Sequence, residues 1–510
     1  MVRTVYAAAT HGIDGSIVVV EVNLEGFMPG YATVGLPDNA VKESKERVFA
    51  AIKNSGYVYP QKRVTVNLAP ADVRKEGSAY DLPIALGILA ASGQVDSDEL
   101  DKYVILGELS LEGEVRPIRG AMSIALAAAE KRYPYIIVPQ TNAREAAMVP
   151  GITVLPASSL VQVVEHFNGD RAMSPTTVNV DELFFQHSRY PLDLKDVKGQ
   201  EAAKRALEIA TAGSHNIIMI GPPGSGKTML AKRFPTILPR LTIEEALETT
   251  KIHSVAGLLP PDQPMLGTRP FRAPHHSTSG PGLIGGGKYP RPGEVSMAHN
   301  GVLFLDELPE FRKNVLEAMR QPMEDARVTI SRALVSTTFP ARFLLVAAMN
   351  PCPCGYFGDA KNQCTCSPVT IQRYRARISG PLMDRIDIHV EVPAVKFEEL
   401  SSMKEGESSE KVLARGQMAR EIQLQRFKGK NGIYANAHMG SNEIRDYCAL
   451  TEDSMALLRN AIDRLGFSAR AYDRILKVSR TIADLEHVDQ IQPAHVAEAI
   501  QYRSLDREIL

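Results

Sequence analysis

The segment Gly221-Pro222-Pro223-Gly224-Ser225-Gly226-Lys227-Thr228 decides the fold, and it follows the apolar run at residues 215–220 (HNIIMI). It has the pattern G-x-x-x-x-G-K-[ST], in which a glycine-rich loop between a strand and a helix cradles phosphates. Its backbone N–H groups surround a phosphate, and the N-terminus of the following helix adds a favourable dipole. We expect the loop to bind ATP, with Lys227 on the β- and γ-phosphate oxygens and Thr228 as an Mg²⁺ ligand. The alternative is a glycine loop that matches by chance.

A second apolar run, at residues 302–305, ends in the acidic pair Asp306 and Glu307. After a phosphate loop, this arrangement predicts that Asp306 holds the Mg²⁺ ion of the nucleotide. Glu307 then lies where a carboxylate can polarise the attacking water, which requires hydrogen-bond reach to that water. Two acids at a strand end can also form a solvated turn, which is the alternative interpretation.

Composition divides the chain into four regions. Residues 1–170 alternate β-rich and alanine-rich segments and predict one α/β domain, whereas residues 171–191 lose periodicity and predict a linker. Residues 192–395 contain the phosphate loop and apolar runs without polar alternation, which is typical of a parallel sheet covered on both faces. Residues 396–510 show helical periodicity and predict a small helical lid.

The overall charge excludes a global attraction to polyanions. The chain has 510 residues and a formal net charge of −1, so a nucleic-acid partner must be held by a local basic patch. No apolar run reaches the ~20 residues of a membrane-spanning helix, and residues 1–16 lack the pattern of a signal peptide. We expect a cytoplasmic protein without a membrane partner.

Four of the five cysteines are clustered as Cys352-Pro-Cys354 and Cys364-Thr-Cys366. Four thiolates can close a tetrahedral zinc site, although paired CxxC is the commoner spacing. Disulfides are disfavoured in a reducing cytosol. Zinc is therefore the expected occupant, and unliganded thiols are the alternative.

Longer motifs resemble the magnesium-chelatase-like branch of AAA+ ATPases, and within it the ComM (YifB) family. Four segments carry the resemblance: residues 271–279 (FRAPHHSTS), 292–307 (PGEVSMAHNGVLFLDE), 350–355 (NPCPCG) and 468–476 (SARAYDRIL). The resemblance covers nearly the whole chain. It implies a central AAA+ domain with a helical lid, a homohexameric ring, and an ATP-dependent DNA helicase that promotes branch migration when incoming DNA recombines in natural transformation.

The resemblance also implies roles for three polar residues. Asn350, after an apolar strand, would contact the γ-phosphate and the attacking water. Arg385 would complete the site of a neighbouring subunit, where such an arginine is worth ~10³- to 10⁵-fold in rate in related NTPases. Arg470 would fold back from the lid onto the γ-phosphate. The alternatives are a turn-forming Asn-Pro, an ion pair of Arg385 with Asp384 or Asp387, and Arg474 as the lid arginine.

This branch of AAA+ proteins carries a hairpin before the first sensor, and residues 327–338 alternate as a hairpin should. Arg332, near the predicted tip, would contact a phosphate backbone in the pore of the ring. The alternative for this arginine is a solvated tip. The glycine-rich residues 277–289 would form a second pore loop. Further candidate DNA contacts lie beside the cysteine cluster at Arg373, Arg375 and Arg377.

The N-terminal domain resembles the proteolytic (S5-like) domain of Lon. Residues 107–118 (GELSLEGEVRPI) resemble a Lon strand pair, and residues 75–79 (KEGSA) resemble its nucleophile loop. A Ser-Lys dyad needs the lysine as a base for the serine, but Met122 occupies the lysine position when the two motifs are aligned. We therefore expect Ser78 to lack an activator and the domain to be proteolytically inactive.

Two functions of different classes compete. The leading hypothesis is an ATP-dependent motor acting on DNA, and the alternative is a protein-remodelling or metal-insertion ATPase of the magnesium-chelatase type. We interpret His275 and His276, which lie in a proline-rich loop without metal-spaced partners, as structural or subunit-contact residues.

Overall fold

The computed structural model describes residues 2–26, 28–71, 75, 77–260, 262–287, 290–332, 336–359, 362–395, 406–430 and 432–503. The chain forms two compact units. The first consists of Met1–Ser188 and Ile243–Gly267, and the second of Arg189–Thr242 and Thr268–Leu510. We call them the N-terminal unit and the phosphate-loop unit.

A seven-stranded mixed sheet forms the centre of the N-terminal unit. The strand Asp14–Glu25 pairs antiparallel with both of its neighbours, Val2–His11 and Arg63–Ala69. The other neighbouring strands are parallel. From one edge to the other, the strands are Gly30–Val34, Arg63–Ala69, Asp14–Glu25, Val2–His11, Tyr103–Ile105, Tyr135–Pro139 and Thr153–Ala157. A separate antiparallel pair, Glu108–Leu109 and Val115–Arg116, lies where the sequence resembles a Lon strand pair.

The helices of this unit are Asn39–Asn54, Asp81–Ala91, Ala121–Glu130, Ala143–Ala146, Leu160–Phe167, Val180–Gln186 and Ile243–Ala256. Asp81–Ala91 is buried over nearly its whole length because its sequence (DLPIALGILAA) is apolar on every side. Asp38 caps the N-terminus of the helix Asn39–Asn54, and its carboxylate accepts a hydrogen bond from the N–H of Val41 at 2.8 Å.

Two segments differ from the predicted domain boundaries. The expected linker contains the helix Val180–Gln186, which Asn179 caps and Leu183 anchors by burial. The helix Ile243–Ala256 belongs to the N-terminal unit although the phosphate-loop unit flanks it on both sides in sequence. Its Ser254 donates a hydrogen bond to the buried carboxylate of Glu145. A boundary drawn along the chain cannot show such an insertion, because the contact joins residues far apart in sequence.

The phosphate-loop unit contains a five-stranded sheet in which every pairing is parallel. In spatial order its strands are Phe271–Arg272, Val302–Leu305, Leu344–Met349, Ile217–Ile220 and Ile388–Glu391. The three central strands are buried on both faces, as their unbroken apolar runs predict. Their carboxyl ends meet at one edge of the sheet, so the phosphate loop, Asp306 and Asn350 come together there.

Helices surround this sheet and continue into the C-terminal region. Those of the core are Glu201–Gly213, Lys227–Ile237, Gly280–Ile284, Glu294–Met297, Lys313–Ala318, Arg320–Asp325, Pro368–Arg375 and Gly380–Met383. Those of the lid are Ser409–Arg426, Ser441–Tyr447, Glu452–Leu465, Ala469–Leu485 and Pro493–Gln501. Lid residues such as Val412 and Ile475 share one hydrophobic core with Leu207 and Ile217.

The predicted fold class is confirmed: an α/β N-terminal unit, a parallel-sheet core and a helical C-terminal region. None of the helices described is both long and apolar enough to cross a bilayer.

Candidate active site

The phosphate loop lies between the strand Ile217–Ile220 and the helix Lys227–Ile237. Gly224 and Gly226 have φ angles of 75° and 95°, in the left-handed region that disfavours a side chain. A Cβ on Gly221 would lie 2.0 Å from the carbonyl oxygen of Val392. The loop therefore needs glycine for backbone conformation at two positions and for close packing at a third.

The side chain of Lys227 turns back over the loop. Its Nζ donates hydrogen bonds to the carbonyl oxygens of Gly221 and Pro222 at 2.8 and 2.9 Å, and to Oδ1 of Asn350 at 3.3 Å. Burial lowers the pKa of Lys227, and the negative charge of Asp306 partly offsets that effect. The structure thus brings together the lysine that is predicted to bind phosphate and the asparagine that the resemblance places at the γ-phosphate.

The two predicted Mg²⁺ ligands are in direct contact, since the Thr228 hydroxyl donates to Oδ2 of Asp306 at 2.8 Å. A hydroxyl and a carboxylate are oxygen ligands of the kind that Mg²⁺ prefers. The other carboxylate oxygen of Asp306 accepts from the N–H of Glu307 at 3.0 Å. Glu307 has a φ of 53°, a strained conformation for a residue with a side chain and one that is common at functional sites.

His276 binds the predicted general base. Its Nδ1 lies 3.0 Å from Oε2 of Glu307, and its ring packs against that of His275 at a tilt of 35° with the centroids 4.0 Å apart. Sequence reasoning missed this role because neither histidine has a spaced partner. The available signal was topological: the loop follows the edge strand Phe271–Arg272, which pairs with Val302–Leu305 and so ends beside Asp306 and Glu307.

Arg385 is buried against its own chain in this structure. Its Nη1 donates to the carbonyl of Pro381 at 2.5 Å, and its Nη2 forms an ion pair with Glu324. The partner is therefore neither Asp384 nor Asp387, the two acids nearest in sequence. Only 9% of its side chain is exposed, so the role in a neighbouring subunit's site requires this arginine to leave Glu324.

The two candidate lid arginines have different partners. Arg470 is exposed and lies 3.4 Å from a carboxylate oxygen of Asp384, whereas Arg474 forms an ion pair at 2.8 Å with the buried carboxylate of Asp387. Burial alone would raise the pKa of Asp387, but the charge of Arg474 and the hydrogen bond with His215 hold it well below its usual range. Arg474 is thus committed to a buried pair, and Arg470 is the exposed lid arginine.

The four clustered cysteines bring their sulfur atoms within 4.8 Å of one another. The closest Sγ–Sγ distances are 3.3, 3.6 and 3.7 Å. The sulfurs of a zinc site with Zn–S bonds of ~2.3 Å lie about 3.8 Å apart at the edges of a tetrahedron, whereas a disulfide needs about 2.05 Å. Backbone N–H groups of Tyr356 and Thr365 lower the pKa of Cys354 to about 5. The arrangement therefore fits a tetrahedral metal ion.

The three arginines beside this cluster are not equivalent. Arg375 is buried, donates from Nε to the carbonyl of Pro351 at 3.2 Å and lies over the ring of Phe357 at 5.2 Å. It braces the cysteine loop, and the predicted DNA contact at Arg375 does not agree with this inward orientation. Arg373 and Arg377 are exposed on the helix that begins just after Cys366 and on the turn that follows it.

The predicted hairpin is present as the antiparallel strands Arg327–Ser331 and Ser336–Pro340. Its buried face carries apolar residues such as Val328 and Phe339. Its exposed face carries paired hydroxyls, and the Oγ atoms of Ser331 and Ser336 lie 2.9 Å apart. Arg332 is exposed at the end of the first strand, and tip residues 333–335 lie outside the described residues. In the predicted second pore loop a helix, Gly280–Ile284, precedes a short strand, and residues 288–289 are likewise outside the described part.

Three family models match this chain. Those described as magnesium chelatase, subunit ChlI, as subunit ChlI of Mg-chelatase and as the ChlI C-terminal region match residues 193–400, 20–142 and 406–503, respectively. The chain is 46% identical to competence protein ComM of Haemophilus influenzae, over 99% of this chain and 97% of that protein. It is 45% identical to the uncharacterized protein YifB of Escherichia coli, over 99% and 98%. The chain belongs to the ComM/YifB family of magnesium chelatase-like proteins.

This ComM/YifB-family chain is also similar in part to Lon protease 2 of Bacillus subtilis, with 30% identity over 29% of this chain and 28% of that protein. In the Lon-like unit the Ser78 hydroxyl donates to the carboxylate of Glu108. Met122 is buried, and its N–H donates to Glu145 at 2.9 Å. Among the described residues, no lysine or histidine forms a hydrogen bond with Ser78.

AAA+ ATPases of this family use ATP and Mg²⁺. In this chain, the residues that fit those ligands are the phosphate loop with Lys227, the Thr228–Asp306 pair, Glu307 and Asn350. These are side chains of the kinds that can contact phosphates, a metal ion and a water.

Proposed function

We propose that the protein is an ATP-driven motor that moves along DNA and promotes branch migration when incoming DNA recombines in natural transformation. The observation that carries this proposal is the full-length similarity to a competence protein, and the contact between the predicted Mg²⁺ ligands Thr228 and Asp306 supports it. The exposed hairpin with Arg332 and the exposed basic residues Arg373 and Arg377 supply surfaces that suit a phosphate backbone.

In the proposed hydrolysis, the loop N–H groups and Lys227 bind the β- and γ-phosphates. Thr228 and Asp306 would hold Mg²⁺, whose charge would stabilise the negative charge that develops on the phosphates. Glu307 accepts a proton from the water that attacks the γ-phosphorus, and Asn350 orients that water. Arg385 and Arg470 remain candidates to contact the γ-phosphate from a neighbouring subunit and from the lid.

We further propose that the protein assembles as a homohexameric ring in the cytoplasm. Ring assembly would bring Arg385 to the next subunit's phosphates once its pair with Glu324 opens. Native mass spectrometry with a non-hydrolysable ATP analogue tests the assembly: a six-subunit species is expected, and a monomer at every concentration would contradict it.

The cysteine cluster is proposed to bind Zn²⁺. Its sulfurs already lie near tetrahedral spacing, and the cluster begins two residues after Asn350. The apparent free energy with which a structural zinc ion binds small zinc fingers is ~10 to 16 kcal/mol, which is ample to order a loop. In this position zinc would hold the loop between the nucleotide sensor and the helix Pro368–Arg375.

The proposal is tested by strand exchange on forked and four-way DNA, with ATP hydrolysis measured in parallel at stated salt concentrations, because phosphate contacts are salt-sensitive. Wild-type protein should hydrolyse ATP faster with DNA and should move the branch point. ATP hydrolysis that no DNA substrate stimulates would favour the alternative, a protein-remodelling or metal-insertion ATPase, to which the match with the magnesium-chelatase models also points.

A further inference from the structure

A pocket of about 470 Å³ opens beside the predicted general base. One wall is the turn after Glu307, with Glu310 and Phe311, and continues to Lys313. The other wall is the end of the helix Pro368–Arg375 and the residues after it, with Arg373 and Arg377. The pocket is distinct from the phosphate loop, and the nucleotide chemistry described above uses none of its side chains.

The charge of this pocket suits an anion. Among the described residues that line it, three are cations, Lys313, Arg373 and Arg377, and Glu310 is the only carboxylate. Arg377 donates from Nη1 to Oε2 of Glu310 at 2.7 Å, and both side chains are about half exposed. Exposed ion pairs stabilise a protein little, so an incoming anion can take Arg377 from Glu310 at small cost. In the described structure, Lys313 and Arg373 form no ion pair.

The side chains that line the pocket favour a backbone phosphate over a base as its ligand. Phe311 contributes the only aromatic ring to the pocket wall within the part of the chain that the structure describes, and it is 3% exposed. Reading a base by stacking requires an exposed ring. Several spaced cations without an exposed ring are instead what a chain of phosphodiesters needs.

We propose that this pocket binds a backbone phosphate of DNA, which replaces Glu310 as the partner of Arg377 and thereby reports DNA binding to the ATPase site. The inference rests on the proposed function, since it names the contact and the route by which DNA acts on that site. It adds Lys313 and Glu310 to the arginines that the sequence predicted.

Two short connections join the pocket to Glu307. The N–H of Glu310 donates to the carbonyl of Glu307 at 2.8 Å, within the single turn Leu308–Glu310. The ring of Phe311 packs edge-on against His276 with the centroids 6.4 Å apart, and His276 binds the carboxylate of Glu307. A change of partner at Glu310 therefore acts on the residues that hold Glu307 at both its main chain and its side chain.

The first test measures binding of a fluorescent forked DNA to the full-length protein by anisotropy, with MgADP present and at several salt concentrations. Removal of a phosphate contact lowers the slope of log K against log salt by about 1, so Arg373→Ala and Arg377→Ala should each do so. Glu310→Gln removes the competing charge and should tighten binding by about 1.5- to 5-fold. Arg459→Ala is the matched control, because Arg459 is exposed on the lid helix Glu452–Leu465 and does not line the pocket.

The second test measures ATP turnover with and without the same DNA. Glu310→Gln should change turnover without DNA and reduce the fold-stimulation by DNA, because its charge no longer responds to the phosphate. Arg377→Ala should also reduce stimulation, whereas Arg459→Ala should not. Unchanged melting temperatures of the variants show that the folded state is retained.

The outcomes separate this inference from the proposed function. If wild-type protein binds no DNA at any salt concentration, the proposed function fails and this inference fails with it. If wild-type protein binds DNA but the pocket variants match Arg459→Ala in salt slope and stimulation, only the inference fails. If Arg373→Ala and Arg377→Ala raise KM for ATP and leave DNA binding unchanged, the phosphate comes from a neighbouring subunit's nucleotide, and the DNA assignment is overturned.

Discussion

Replacement of His276 by alanine removes the one side chain among the described residues that binds the carboxylate of Glu307, at 3.0 Å. The pair is partly solvated, with 33% of the histidine and 55% of the glutamate side chain exposed. Pairs of this kind are worth ~0.2 to 1 kcal/mol. At 1.36 kcal/mol per tenfold in rate, loss of the orienting contact should lower kcat by about 1.4- to 5-fold. Glu307→Gln removes the base itself and should cost ~10²- to 10⁴-fold.

The assay is steady-state ATP hydrolysis by four proteins: wild type, His276→Ala, Glu307→Gln and the double variant. If His276 acts through Glu307, its replacement should have little further effect once the carboxylate is gone. His276→Asn should restore most of the rate, because the asparagine amide can donate from near the position of Nδ1. KM for ATP should stay near the wild-type value in the single His276 variants, since the phosphate loop is unchanged.

His275→Ala is the matched control. His275 packs against the ring of His276 but hydrogen-bonds to the hydroxyl of Ser277 at 2.8 Å rather than to Glu307. Equal losses in the His275 and His276 variants would show that the loop matters only as a whole. Multiplicative losses for His276→Ala and Glu307→Gln in the double variant would show that the two residues act independently, and either result would refute the positioning role.

Three further predictions concern the phosphate loop, the cysteine cluster and the lid. Lys227→Ala should abolish measurable ATP turnover, because the ammonium that contacts the phosphates is lost; radiolabelled ATP hydrolysis measures this, and retention of more than a tenth of the rate would contradict it. Purified wild-type protein should contain about one zinc ion per chain by elemental analysis, and Cys364→Ser should lose it; an absence of metal in freshly purified, reduced wild-type protein would refute the zinc site. Asp387→Asn should cost ~3 kcal/mol in the free energy of unfolding, because it leaves Arg474 and His215 without their buried partner. Since the folded-state pKa of Asp387 is lowered, the stabilisation is complete above its ordinary value of 3.8 and is lost as the pH falls below that. Urea unfolding of both proteins should therefore give a difference in unfolding free energy that is constant near neutral pH and shrinks in acid. A difference that grows in acid would contradict the assignment.

The sequence was sufficient to predict the parallel sheet and most of the candidate site residues at the carboxyl ends of its strands. Unbroken apolar runs specify buried strands, and polar residues that end such strands must meet where the strands end together. For that reason Lys227 and Asp306 could be predicted as neighbours, whereas the place of Asn350 at the γ-phosphate was implied by the family resemblance. The hairpin was predicted from the family resemblance together with alternation over residues 327–338, and in the structure its strands are Arg327–Ser331 and Ser336–Pro340.

The remaining features depend on contacts between residues far apart in sequence, which local patterns do not encode. His276 meets Glu307 only because an edge strand pairs beside the strand of Asp306. Arg375 resembles its neighbours in sequence, yet its position on the helix turns it toward Pro351. Arg385 forms its ion pair with Glu324 rather than with the adjacent aspartates. The helix Ile243–Ala256 belongs to the N-terminal unit, although the segments that flank it in sequence belong to the phosphate-loop unit.

The central claim, that ATP hydrolysis by this chain drives movement along DNA, is tested most directly on a synthetic four-way junction with fluorophores on two arms. The rate at which the arms exchange is measured at a stated salt concentration with ATP, with a non-hydrolysable analogue, and with the Lys227→Ala variant. The account predicts rapid arm exchange only with wild-type protein and ATP. Exchange at the spontaneous rate in the presence of wild-type protein that is hydrolysing ATP would contradict it.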